Sequence, residues 1–267
     1  MSEVPTESEV IAAATPPAPQ TPGKPHDNSG TMNSLQSLAT TIVIAVFVIT
    51  FVAQAFQIPS ESMESTLLIG DYLLVDKAHY AGSGLWGWLL PYRRIQRQDI
   101  VVFRYPVNPQ QHFVKRVIGV PGDHVRLLNK RVYVNGVRQD DEYATFNWGQ
   151  RDKFRDNFPN GGFFADKIAS KWFIQAQKLV EDGQLIIPEG SYFVLGDNRD
   201  DSYDSRYWGL VPAENIVGRP LLIYWSMDRL ASNTGGEAAS GKLSTLAYSA
   251  VQSVKCLRWK RMFRIPQ

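Results

Sequence analysis

Phe113-Val114-Lys115-Arg116-Val117-Ile118-Gly119-Val120-Pro121-Gly122-Asp123 decides the fold class of this chain. Apolar residues alternate along it as they do on a strand, and the Pro-Gly-Asp that follows suits a tight turn. Similar short β-rich runs lie on both sides: Tyr72 to Lys77, Ile100 to Tyr105, Val125 to Leu128, Arg131 to Val134, Leu185 to Ile187, Tyr192 to Leu195 and Leu221 to Trp225. Asn135-Gly136 marks another turn between two of them. The pattern predicts a mostly β fold, with an antiparallel β-sheet domain over residues 57–267. A helix is expected between Phe164 and Glu181, with Phe164, Ile168, Trp172, Ile174, Ala176 and Leu179 on its apolar face. Polar and aromatic residues from Asp141 to Asn160 interrupt the strands, so residues 141–183 read as a small inserted subdomain. Residues 229–241, which include Gly235-Gly236 and Gly241, read as a flexible connector.

With 267 residues, 44% hydrophobic and 20% charged, the chain can bury a real core. Its net charge of +2 is unevenly spread. Residues 1–33 carry Glu3, Glu7, Glu9 and Asp27 against Lys24, while residues 242–267 carry six Lys or Arg and no acid. No basic face is left to mark the body as a nucleic-acid binder. Cys256 is the only cysteine, which excludes an internal disulfide and a multi-cysteine zinc site.

From Leu35 to Phe56 there is no charged residue, enough to span a bilayer as a helix. A cleaved export signal has a shorter apolar core and a basic start, whereas the residues ahead of this run are acidic. Residues 34–56 therefore read as a retained transmembrane anchor behind a disordered tail, residues 1–33. The flanking charges, Lys24 before the span against Lys77, Arg93 and Arg94 after it, weakly favour keeping the body on the cytoplasmic side. Leu85 to Tyr92, rich in Trp, suits either a bilayer interface or core packing. The basic run Trp259 to Ile265 suits an edge strand or an anionic lipid surface.

Just past the apolar run comes Phe56-Gln57-Ile58-Pro59-Ser60-Glu61-Ser62-Met63, which sets two serines at the membrane edge. A serine attacks only when a neighbouring group takes its proton. None of His26, His79, His112 and His124 has a suitable setting or metal-ligand spacing. Lys115 does, within its apolar strand. Three stretches taken together resemble the bacterial type I signal peptidase family: Ile58 to Met63 with Thr66-Leu67, Phe113 to Asp123, and Gly196-Asp197-Asn198-Arg199-Asp200-Asp201-Ser202-Tyr203-Asp204-Ser205-Arg206-Tyr207-Trp208-Gly209. The resemblance extends to Gly70-Asp71 and Asp99 to Phe103, and covers most of residues 56–225.

That resemblance implies a membrane-bound serine-lysine endopeptidase without a cofactor. Ser62 would be the nucleophile and Lys115 the general base. Ser60 would join the oxyanion hole, and Ser202 would hydrogen-bond and orient the base. It further implies the structural ion pairs Arg116 with Asp197 and Asp204 with Arg206. Substrate subsites would be walled by Phe56, Ile58, Met63, Leu67, Phe113 and Val114. The implied partners are exported preproteins, cut after small residues in an Ala-x-Ala pattern, and the lipid bilayer. The implied location is the bacterial cytoplasmic membrane, single-pass, with the tail cytoplasmic and the catalytic domain on the external face. A solvated lysine with a pKa near 10.4 is useless as a base at neutral pH, so Lys115 must be desolvated.

Two positions depart from the family pattern: Glu61 stands where Gly is usual, and Ser65 where Pro is usual. Neither is a catalytic group. The acidic run from Asp197 is no calcium loop, because an EF-hand needs Gly and Glu where Ser202 and Trp208 stand. A self-cleaving repressor-type serine-lysine protease should carry a helix-turn-helix in the place of the anchor. A catalytically dead binding module need not have kept Ser62, Lys115 and Ser202.

Overall fold

A computed structural model describes residues 29–47, 53–80, 93–147, 149, 151–160, 168–228 and 256–266. The aromatic run Leu85 to Tyr92, the 229–241 connector and the tail before residue 29 lie outside these residues. Helix α1, Ser29–Phe47, carries no charge and passes the length and hydropathy test for a membrane span. It begins inside the stretch read as tail. At the other end, Ala53–Gln57 is a strand, β1, not the end of the anchor. Its five residues pair in register with β2, Asp71–Asp76, from Ala53 opposite Asp76 to Gln57 opposite Tyr72. Ladder hydrogen bonds to β2 thus claim an apolar stretch that by composition continues the membrane run.

Seven antiparallel strands form the main sheet, in the order β1, β2, β12, β3, β4, β10, β11. Here β3 is Ile100–Tyr105, β4 is Asn108–Gly119, β10 is Ser191–Leu195, β11 is Val211–Pro212 and β12 is Ile216–Ser226. Strand β3 shows why its sequence reads as a continuous apolar run. Ile100 and Val102 enter one core with Ile58, Met63, Leu67 and Leu73, while Val101, Phe103 and Tyr105 enter another with Val117, Val194 and Trp208. Period-two alternation sends successive side chains to opposite faces, and here both faces are covered. Strand β12 serves two neighbours: Ile216 and Gly218 pair with β3, and Arg219 to Ser226 pair with β2. Its register shifts next to Pro220, a residue that cannot donate to a ladder and belongs at such an irregularity.

A second sheet has the order β7, β6, β5, β9, β8, with β5 His124–Leu128, β6 Arg131–Val134, β7 Val137–Arg138, β8 Val180–Glu181 and β9 Gln184–Ile186. Asn135 and Gly136, at φ 53° and 78°, make the two-residue turn expected of Asn-Gly. Of the helix expected from Phe164 to Glu181, residues 164–167 lie outside the described residues, Ser170–Leu179 is helix, α2, and Val180–Glu181 is a strand instead. Asp182-Gly183, at φ 48° and 72°, folds the chain back into β9, so a hairpin turn ends the helical run. On α2, Trp172 and Ala176 are buried, whereas Ile174 is 59% exposed and is not on the packed face.

The described residues of the 141–183 stretch form no core of their own. Phe154 and Phe158 pack with Trp172, and all three join Val125, Leu127, Leu185 and Phe193 of the strands. Trp172 is 2% exposed, donates from Nε1 to the Arg206 carbonyl at 3.2 Å, and lies against Gly209, where a Cβ would stand 2.9 Å from its ring. Trp172→Ala is expected to cost about 3–5 kcal/mol of stability, read by chemical denaturation.

Candidate active site

The turn that holds the two serines is built on β1 and β2. Ile58 N–H donates to the Asp71 carbonyl at 2.9 Å, and Gly70 N–H donates to the Ile58 carbonyl at 3.1 Å. Gly70 has φ +87°, and a Cβ there would stand 2.1 Å from the Met227 carbonyl, so only glycine fits. Pro59 and Ser60 then lead into a short 3-10 turn, Glu61–Met63. Glu61 fits this turn without positive φ and is exposed, so the change from glycine costs the backbone nothing here. Met63 and Leu67 drop into the core beneath. On the other side, Asn198 N–H donates to the Ser62 carbonyl at 3.1 Å, which ties the turn to the loop after β10.

Lys115 comes from β4, where it lies opposite Val101. It is 4% exposed, and its Nζ hydrogen-bonds Ser62 Oγ. Burial lowers its pKa from 10.5 to about 8; the charges of Asp204 and Asp197 pull it up, and that of Arg206 pushes it further down. Ser60 Oγ lies 3.4 Å from Ser62 Oγ.

Both expected ion pairs are present and buried. Arg116 Nε and Nη2 donate to the two oxygens of Asp197 at 2.8 and 2.7 Å. Arg206 Nε and Nη2 grip Asp204 in the same two-pronged way, each at 2.8 Å. Burial opposes the Asp204 charge, but Arg206, the Gly196 N–H and Lys115 hold its pKa below the usual carboxylate range. Sequence reasoning missed two supports of this frame. Thr66 Oγ1 donates to Asp197 at 2.6 Å, and the Tyr143 ring lies 3.9 Å from the Arg116 guanidinium. Thr66 belongs to the serine-bearing stretch that carries the family resemblance, but nothing local marks Tyr143.

Ser202 departs from expectation. Its hydroxyl is buried and has no hydrogen-bond partner among the described residues, so it does not hydrogen-bond Lys115 here. Instead it packs on Gly196, where a Cβ would stand 2.2 Å from Ser202 Oγ and 2.4 Å from the Ser62 carbonyl.

An apolar cleft of about 550 Å³ opens at Ser62 and Lys115. Phe56, Ile58, Met63, Phe113 and Val114 line it as expected. Leu67 does not: it is fully buried and backs the wall from within the core. Ile69, His112, Asp201 and Tyr203 line the cleft without having been expected there. Burial and the charge of Arg104 lower the His112 pKa, so this ring is neutral at pH 7. The described residues hold no cluster of His, Cys, Asp and Glu suited to a metal ion.

A hydroxyl in contact with a desolvated amine, at the end of an apolar cleft, is the equipment of a serine hydrolase that acts by nucleophilic attack. Residues 31–225 match the family described as signal peptidase, peptidase S26. The chain is 33% identical over 233 residues to signal peptidase I of Leptolyngbya laminosa, covering 84% of this chain and 95% of that one. It is 37% identical to signal peptidase I of Aquifex aeolicus, with 69% and 81% covered, and 37% identical to that of Pseudomonas aeruginosa, with 72% and 71% covered. The chain belongs to the signal peptidase family, peptidase S26. It is a hydrolase, a serine endopeptidase.

Because a methyl group at residue 196 collides with both Ser202 and the Ser62 carbonyl, Gly196→Ala should displace the serine turn. A loss of at least about 100-fold in peptide cleavage is expected, with the protein still folded by circular dichroism.

Proposed function

We propose that this chain removes signal peptides from exported preproteins, cutting after small residues in an Ala-x-Ala pattern with Ser62 and Lys115. The contact of Lys115 Nζ with Ser62 Oγ, deep in the protein, carries the reading. At a pKa of about 8 a useful fraction of the amine is neutral at physiological pH. The neutral amine takes the Ser62 proton as Oγ attacks the scissile carbonyl carbon. The resulting ammonium gives that proton to the leaving nitrogen as the C–N bond breaks, which leaves an ester on Ser62. Lys115 then draws a proton from water as its oxygen attacks the ester carbon; the bond from that carbon to Ser62 Oγ breaks, the ammonium returns the proton to Oγ, and the acid is released. The Ser62 N–H and the Ser60 hydroxyl would donate to the oxyanion in both steps.

Open strand edges support extended binding of substrate. Among the described residues, strand β1 pairs only with β2, and β10 meets β4 only from Arg116 onward, so residues 112–115 keep one edge unpaired by a described strand. Both edges run toward the serine and lysine. A peptide added there would gain main-chain hydrogen bonds, with its apolar side chains against Phe56, Ile58, Phe113 and Val114, which line the cleft.

Helix α1 supports a single-pass anchor: its 19 residues measure about 28 Å, close to the hydrocarbon thickness. With the body on the external face of the bacterial cytoplasmic membrane, enzyme and membrane-held precursor share one surface, which raises their effective concentration. In sealed inside-out vesicles the body should resist added protease. Digestion there would reverse the orientation.

Lys115→Met should abolish cleavage of a preprotein while the fold persists. Full cleavage by that variant would overturn the mechanism. For the native chain, kcat/KM should rise with pH through about 8, as the amine loses its proton. Stability should show the opposite side of the same burial. The native state binds the lysine proton less tightly than the unfolded chain, so the cost of burying Lys115 is full below pH 8 and disappears as pH rises toward 10.5. Lys115→Met should therefore melt higher than the native chain at pH 7, with the gap closing above pH 10.

A further inference from the structure

Far along the chain from the catalytic turn, the segment Cys256–Pro266 lies against the end of β12. Bridges join Leu257 to Met227 and Arg264 to Ile223. Phe263 N–H donates to the Ile223 carbonyl at 2.7 Å, and Ile223 N–H donates to the Arg264 carbonyl at 2.9 Å. Between these attachments a 3-10 turn, Trp259–Arg261, divides its side chains. Trp259 is 63% exposed and Lys260 is also exposed, whereas Arg258 and Arg261 turn inward.

The two arginines end on one short loop. Arg261 Nη2 donates to the Thr66 carbonyl at 2.8 Å and to Asp71 Oδ2 at 2.6 Å. Arg258 Nη2 donates to the Met227 carbonyl at 2.9 Å and to the Ile69 carbonyl. Asp71 is fully buried, and its carboxylate also accepts from Ser226 Oγ at 2.6 Å and from Leu68 N–H at 2.9 Å. Residues 66–71 therefore hang from guanidiniums contributed by a segment about 190 residues further on.

This loop is mechanically continuous with the catalytic turn. Leu67 N–H donates to the Met63 carbonyl at 2.8 Å, and Gly70 and Asp71 exchange backbone hydrogen bonds with Ile58, two residues before Ser60. Ile69 itself lines the cleft. The Thr66 and Ile69 carbonyls left without these donors, and a buried Asp71 carboxylate left without its counter-charge, would be costly, so the loop has a strong reason to move if the guanidiniums leave.

We propose that Arg261 and Arg258 are positioning residues of the active site, and that Cys256–Pro266 is a strap whose hold on Thr66–Asp71 keeps Ser62 seated on Lys115. The proposal rests on the catalytic reading of Ser62 and Lys115. Neither arginine touches the reacting atoms. Their effect comes through the loop, where a displacement of about 1 Å at the nucleophile is enough to cost about 100-fold in rate.

The test uses the full chain in detergent, with a preprotein substrate and thermal unfolding measured in parallel. Arg261→Ala should lower kcat about 10- to 100-fold at temperatures well below its melting point, with KM changed less than about 3-fold. Added methylguanidinium should restore part of kcat, and Lys260→Ala, on the exposed side of the same turn, should match the native chain. Native kcat in a folded Arg261→Ala variant would overturn the proposal, as would a loss that only follows the unfolded fraction and resists methylguanidinium. If Arg261→Ala does not fold, Arg261→Lys decides the matter, since it keeps the charge on Asp71 but not the fork that also reaches Thr66. Reduced kcat supports the strap and native kcat rejects it. Cleavage by Ser62→Ala would instead refute the catalytic reading, whatever the arginine variants do.

Discussion

Everything around the site follows from keeping one amine out of water. Burying Lys115 shifts its pKa from 10.5 to about 8, a cost of roughly 3 kcal/mol at neutral pH that no single contact returns. The cost is met collectively by the two sheets and their cores. Three apolar clusters surround β3 and β4, and the strand carrying Lys115 runs between them. An amine with its pKa lowered by burial needs a rigid, dry setting, and a widely shared β core supplies it better than a surface loop would.

Charges placed near such an amine have to be controlled. Asp197 and Asp204 both raise the Lys115 pKa, yet each is held by its own arginine, Arg116 or Arg206. The pairing spends most of each carboxylate on a guanidinium rather than on the lysine. Buried ion pairs are weak sources of stability, because desolvation offsets their attraction. Here their use is geometric: the pairs lock the Gly196 to Arg206 loop, and that loop touches Ser62 through Asn198 and Gly196. The turn that carries Ser62 is thus held between this loop on one side and the segment Thr66–Asp71 on the other.

Much of this was legible in the linear chain. The strand positions of Val101, Phe103, Val117 and Val194 follow from β-branched and aromatic runs bounded by turns, and the structure places strands there. The ion pairs Arg116 with Asp197 and Asp204 with Arg206 came from the family resemblance, as did Ser62 and Lys115, and the structure brings each pair together. Other features were beyond local reading. Ala53 to Gln57 looks like membrane helix because composition cannot tell an apolar strand from the end of an apolar helix; its partner β2 decides. The apolar pattern carried to Glu181 overruns the end of α2, because the turn at Asp182-Gly183 pairs Val180–Glu181 with β9. Leu67 lies behind the cleft wall rather than on it, since which side of a wall a leucine faces is a matter of packing.

By itself, the sequence determined what depends on residue type and near neighbours: a mostly β body, one uncharged apolar segment ahead of it, and a serine and a lysine in recognisable surroundings. Tertiary structure decided what depends on distance through space. It seated Lys115 on Ser62 across 53 residues, left Ser202 without the expected bond, and brought Arg261 to Asp71 across 190. The physical reason is that periodicity and turn chemistry act over a few residues. Desolvation and the satisfaction of buried carbonyls are settled only when segments remote in sequence close around the same space.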